Sequence, residues 1–272
     1  MKLYLMTDCR NVSGLLFGGY GLPPWFDIPP LREQGPRDRM AREAIAVVQA
    51  CEGEGAKEVY IHEAHPVELW DLPETCRIVR GSNRLLLDES FDALLFVGQH
   101  VNPDVAKVAD RRGAGLVSLR LNGTPTDELD FVARRAGTLG VPTALVTGEA
   151  AVIAEAVDRL GQSGVTGVAT DSGSYGGLAD AVPKALAAVR DGSAPVIQPP
   201  PGPYRLDVEF STRFHAERAD RFTDFSQTGE TTIRVEKKGF EGIFESYLRL
   251  GIILDSTSLV LPRLMSRNEK SK

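Results

Sequence analysis

Cysteine and histidine are scarce in this chain, a cationic excess is absent, and no long apolar run occurs. Three cysteines (Cys9, Cys51 and Cys76) among 272 residues cannot all pair, which rules out a secreted, fully disulfide-paired scaffold. Lys and Arg total 31 against 37 Asp and Glu, a net charge of −6. No basic surplus is left to displace phosphate counterions, so a dedicated nucleic-acid binder is excluded. No stretch reaches the ~20 apolar residues of a membrane-spanning helix. Met1–Thr7 is apolar, but Asp8 and Arg10 cut it short of a signal-peptide core. These absences predict a soluble, cytoplasmic protein without nucleic-acid or membrane partners. Phosphate-loop, dinucleotide-fingerprint and nucleophile-elbow motifs are also missing. Gly18-Gly19-Tyr20-Gly21 has the wrong spacing for a phosphate and reads as loop.

What is present is an ordinary globular mixture, 42% hydrophobic and 25% charged, long enough for one large domain or two smaller ones. Strand-like and helix-like stretches alternate. Leu3–Thr7, Glu58–Glu63, Arg77–Val79, Asp92–Gly98, Gly115–Leu121, Pro142–Thr147 and Val165–Thr170 read as strands. Arg37–Glu54, Asp127–Leu139, Ala150–Leu160 and Val182–Val189 read as helices. This alternation predicts an α/β fold with a mostly parallel central sheet flanked by helices. Ser193–Pro203 carries five prolines in eleven residues, a stiff connector. Beyond it, Tyr204–Phe210 and Thr231–Lys237 alternate like half-exposed strands, and Gly239–Leu254 has helical spacing. The expected organisation is an α/β domain over 1–193 and a smaller α+β domain over 203–272, whose end after Pro262 is a frayed tail.

The chemistry-bearing residues gather where strands end. The predicted strand Leu3–Thr7 runs into Asp8, Glu58–Glu63 ends in Glu63 and is followed by His65, and Asp92–Gly98 runs into Gln99-His100. Carboxyl ends of strands in an open parallel sheet form the crevice where ligands bind. A carboxylate and two imidazoles there match the oxygen and nitrogen donors that zinc prefers. The plain alternative is a turn-capping aspartate and histidines satisfied by loop backbone. Glu63 and His65 are two apart on an extended chain and share a face, with His62 on the other.

An ordered set of segments then resembles the DppA-type zinc D-aminopeptidases. It comprises residues 3–14 (Leu-Tyr-Leu-Met-Thr-Asp-Cys-Arg-Asn-Val-Ser-Gly), Glu63-Ala64-His65, Arg80-Gly81-Ser82, residues 91–100 and 121–129, residues 140–149, Val208-Glu209-Phe210 and residues 228–235. The resemblance implies a metallopeptidase fold, a two-zinc centre and a ring-shaped homo-oligomer that removes N-terminal D-amino acids from short peptides. It also implies metal ligands at Asp8, His65, His100 and Glu128. Two positions depart from the pattern. The family's second ligand carboxylate in Asp-x-Glu-Gly is replaced by Arg10, and Gly by Asn11. The family's catalytic histidine has no counterpart in Val101–Gly113.

A fixed cation beside the site repels a second dication, so the expectation is at most one divalent metal per subunit, zinc by donor type. Arg10 is then expected to bind a substrate carboxylate or a developing oxyanion. Glu63 is expected to act as base, as replacement ligand or as the group that orients His65. The implied function is a divergent metal-dependent hydrolase acting on a small peptide or amide bond. The alternatives are a mononuclear-metal enzyme on a small amino-acid-like metabolite and a silent ring-forming binding protein. For the ring, the apolar face of the last helix (Ile243, Phe244, Tyr247, Leu250, Ile253, Leu254) is expected to be buried between subunits or against the 204–237 strands.

Overall fold

In the computed structural model, six parallel strands form one sheet in the order β3-β2-β1-β4-β7-β8. The structure describes residues 1–7, 34–63, 72–80, 85–99, 116–148, 150–160, 164–170, 175–210 and 212–250. The six strands are β1 (Lys2–Thr7), β2 (Glu58–Glu63), β3 (Cys76–Arg80), β4 (Ala93–Gln99), β7 (Thr143–Gly148) and β8 (Thr166–Ala169). The central ones are continuous apolar runs, as expected of strands covered on both faces: every residue of β4 and of β7 is buried.

Helices α1 (Gln34–Gly53) and α4 (Leu178–Arg190) cover one face. Ala44, Val47, Val48 and Cys51 of α1 and Leu178, Val182 and Leu186 of α4 pack on Leu3, Leu5, Val59, Ile61 and Leu95. Burial pushes the Cys51 thiol up to about 12, so it is a packing group rather than a nucleophile. Helices α2 (Glu128–Thr138) and α3 (Ala150–Leu160) pack against β4, β7 and β8. Neighbours on β8 show that α3 lies on the opposite face. Val168 joins the α1–α4 core, whereas a Cβ on Gly167 would meet Ile153 of α3 at 2.6 Å.

Helix α4 starts four residues before its sequence-predicted start at Val182. Pro183 marks a break by propensity, but Leu178, Ala181, Val182, Ala185 and Leu186 form one buried stripe that carries the helix through it.

A second compact unit is a five-stranded antiparallel sheet in the order β10-β11-β9-β5-β6. It contains β5 (Leu116–Leu121), β6 (Thr124–Pro125), β9 (Tyr204–Phe210), β10 (Ser226–Gln227) and β11 (Thr232–Lys237). The segment read as the parallel strand Gly115–Leu121 therefore pairs antiparallel with β9. Its apolar run resembled the parallel strands, yet Ser118 and Arg120 alternate with buried Leu119 and Leu121, the pattern of a one-sided sheet. Helices α5 (Arg213–Phe222) and α6 (240–250) complete this unit. Ile243, Phe244 and Leu250 of α6 are buried within the single chain, and the Phe240 ring meets Tyr204 at 5.6 Å. The apolar face offered for assembly is thus used internally; Ile253, Leu254 and the tail lie outside the described residues. No described helix is long and apolar enough to cross a membrane.

Candidate metal centre

Strand order fixes where the site can lie. The chain lays β2 and β3 outward on one side of β1, then returns to place β4, β7 and β8 on the other. The order therefore reverses between β1 and β4. In doubly wound sheets this switch point opens a crevice beyond the carboxyl ends of the two strands. β1 ends at Thr7, and the next residue in sequence is Asp8. β4 ends at Gln99, and the next is His100. β2, the other neighbour of β1, ends at Glu63, two residues before His65.

Register ties these ends together. Thr7 pairs with Glu63 on one side and with Val97 on the other. The Thr7 hydroxyl donates to the His62 carbonyl at 3.0 Å. His62 itself is buried and points its Nδ1 to the Tyr4 hydroxyl, 2.8 Å away, which in turn accepts from the Leu86 amide at 3.1 Å. Burial raises the Tyr4 pKa, against the opposing effect of the Leu86 amide. Tyr4 stays a neutral phenol and holds the His62 ring through this bond.

Of the residues singled out in the sequence, Glu63 is the last residue of β2 and Glu128 opens α2, half-buried. Both belong to the unit that contains the parallel sheet. Asp8, Arg10, His65 and His100 lie outside the described residues, as do Cys9 and the Val101–Gly113 segment. Among the described residues, no three His, Cys, Asp or Glu side chains come together as a metal cage. The candidate donor set of Asp8, His65, His100 and Glu128 nonetheless suits a divalent ion chemically, with two carboxylates and two imidazoles. Three of the four follow in sequence, by one or two residues, the last residues of the adjacent parallel strands β1, β2 and β4.

One buried group near these ends was missed in the sequence. Glu43 of α1 is 3% exposed. Its carboxylate accepts from the Gly98 amide at 3.2 Å, from the Thr170 hydroxyl at 2.9 Å and from the Thr147 hydroxyl. The signal was available: Glu43 falls one turn before Val47 on the stripe that buries Ala44, Val47 and Cys51, where a carboxylate is out of place unless it is bonded.

Residues 30–248 match the family model described as D-aminopeptidase. The chain belongs to the D-aminopeptidase family. The matched span includes Glu63, His65, His100 and Glu128 and begins after Asp8 and Arg10. Among solved structures, the Zn-dependent D-aminopeptidase DppA from Bacillus subtilis, titled a self-compartmentalizing protease, is similar over 96% of this chain and 98% of its own. The TM-score is 0.68 at 20% identity, which establishes a shared fold. No curated protein sequence matches the chain. As a D-aminopeptidase family member, the chain has arginine at position 10 and no histidine in 101–113.

Proposed function

We propose that this D-aminopeptidase family member is a divergent metal-dependent hydrolase of a small peptide or amide bond, with at most one divalent ion per subunit. The observation that carries the reading is the switch point between β1 and β4, with Asp8 and His100 as the next residues. Asp8, His65, His100 and Glu128 would hold the ion, and their donor types favour zinc. When bound, the metal supplies Lewis acidity toward a carbonyl oxygen and lowers the pKa of water. Arg10 binds the substrate carboxylate or the oxyanion that develops on the carbonyl oxygen. The Glu63 carboxylate takes the proton of the attacking water in place of the family's histidine.

A charge argument sets the count. A pair of unit charges about 4 Å apart interacts by about 4 kcal/mol at an effective dielectric of 20. Exchanging a carboxylate for Arg10 swings the site by two units of charge against a dication, so a second ion loses the partner that would hold it. The DppA neighbour, a self-compartmentalizing protease, supports a homo-oligomer for this chain, and a ring is the form we assign to it.

Elemental analysis of purified protein should give one zinc or fewer per chain, with weak or no cleavage of D-alanyl peptides. Arg10→Glu should raise the stoichiometry toward two. Two tightly bound zinc ions in the unaltered chain would overturn the single-metal reading, and brisk D-alanyl peptide cleavage would overturn the change of substrate. A chain that takes up no metal and hydrolyses no small peptide or amide would be a binding protein instead.

A further inference from the structure

We propose that Glu43 is a positioning residue: from helix α1 it sets the direction in which β4 ends, and with it the place from which the next residue, His100, begins. The inference rests on the reading of His100 as a metal ligand, and the cluster that carries it lies wholly in the described parallel-sheet unit.

The end of β4 is not regular. Its pairing with β7 shifts register between Phe96 and Gln99, and Gly98 has φ +70°, the left-handed region that favours glycine. A bulge of this kind re-aims the chain and is common beside functional sites. Left-handed backbone turns the Gly98 amide out of the ladder, and the protein supplies two acceptors for it: Glu43 Oε1 at 3.2 Å and Thr147 Oγ1 at 3.0 Å. Thr147 in turn donates to Glu43 Oε1, and Thr170, just past β8, donates to Glu43 Oε2. One carboxylate thus joins the ends of β4, β7 and β8.

A second device locks the same place. Beyond the bulge, Gln99 pairs with Gly148, and a Cβ on Gly148 would stand 1.7 Å from the Gln99 carbonyl oxygen. The two strand ends approach as closely as backbone allows. A buried carboxylate is costly where an apolar side chain would pack. Fixing a bulge two residues before a ligand-bearing position is what it accomplishes here, in the way that outer groups orient metal ligands.

The test uses the full chain, zinc titration and histidine-ring nitrogen NMR, with the His100 signal assigned through His100→Gln. Glu43→Leu should weaken zinc binding by about tenfold or more, the scale on which supporting groups act. It should also move the His100 signal and leave that of His215, in the other unit, in place. Glu43→Gln keeps one acceptor oxygen for Gly98 and can donate to Thr170, so it should restore most of the affinity. Val182→Ala, which cuts into the α4 core of the same unit, serves as the control for lost stability. It should keep both the affinity and the His100 signal.

If Glu43→Leu does not fold, Thr147→Val removes the second Gly98 acceptor and should weaken zinc and move His100 in the same sense. Unaltered zinc affinity with an unmoved His100 signal in the folded variants would overturn the proposal. So would a loss in Val182→Ala equal to that in Glu43→Leu. Should the unaltered chain bind no zinc, the metal reading falls, and the positioning role is decided by the His100 signal alone.

Discussion

His215 shows how a single residue ties stability to pH in the antiparallel unit. It is buried, stacks on the Phe210 ring at 6.0 Å and places Nδ1 2.6 Å from the Thr212 hydroxyl. Burial, with a smaller push from Arg218, holds its pKa below the ordinary histidine value. In the unfolded chain the same imidazole takes up a proton near 6.5. Between the folded and unfolded values the unfolded state binds more protons, so stability is full above about 6.5 and falls as pH drops below it. Urea unfolding midpoints from pH 7.5 to 5.5 should decline for the natural chain, and less steeply for His215→Gln. Equal slopes would show that another group carries the dependence. His215 was passed over in the sequence because it follows no apolar strand end. His62 was read only as the residue facing away from Glu63. Its bond to Tyr4 depends on a partner 58 positions distant in the chain, which no local pattern reveals.

At the scale of elements, legibility followed how much apolar surface each one buries. β2 and β9 match their sequence-predicted limits, because Val59 and Ile61, or Leu206, Val208 and Phe210, mark a clear inward face. Helix α5 was missed because the buried ones among its described side chains are His215, Ala216 and Ala219, which look no more apolar than a loop. β6 and β10 span two residues each, too short for any periodicity. β5 was found but assigned to the wrong sheet. Pairing partners of a strand are a long-range property, and only the weak alternation of Ser118 and Arg120 hinted at the antiparallel neighbour. One close element-to-element fit is equally hidden from sequence: the approach of Gly148 on β7 to Gln99 on β4. Gly148→Ala places a methyl against a backbone carbonyl that cannot swing aside, and it forces φ near +149° on a residue with a Cβ. It should cost about 3 kcal/mol or more, at the upper end for single substitutions, visible as a lower unfolding midpoint. A cost below about 1 kcal/mol would mean that the two strand ends slide apart readily.

For the whole molecule, the doubly wound topology follows from alternating strands and helices. The switch point does not, since it depends on which side of β1 the returning strand takes. Assembly is the other property of this scale, and here the structure redirects the expectation. The α6 face was expected to seal either an interface or an intramolecular core. Ile243, Phe244 and Leu250 are already buried in one chain. Ser246 of the same helix donates to Asp224 at 2.8 Å, and Asp224 also holds Lys237 of β11. A helix so engaged has little apolar surface left to give a neighbouring subunit. Removing its central side chain should therefore damage the fold rather than the assembly. Ile243→Ala should destabilise the chain by about 2–5 kcal/mol through lost burial and the cavity left behind. The fraction that remains folded should keep the oligomeric mass of the natural protein in light scattering. A variant with an unchanged unfolding midpoint but a reduced mass would return this face to the subunit interface.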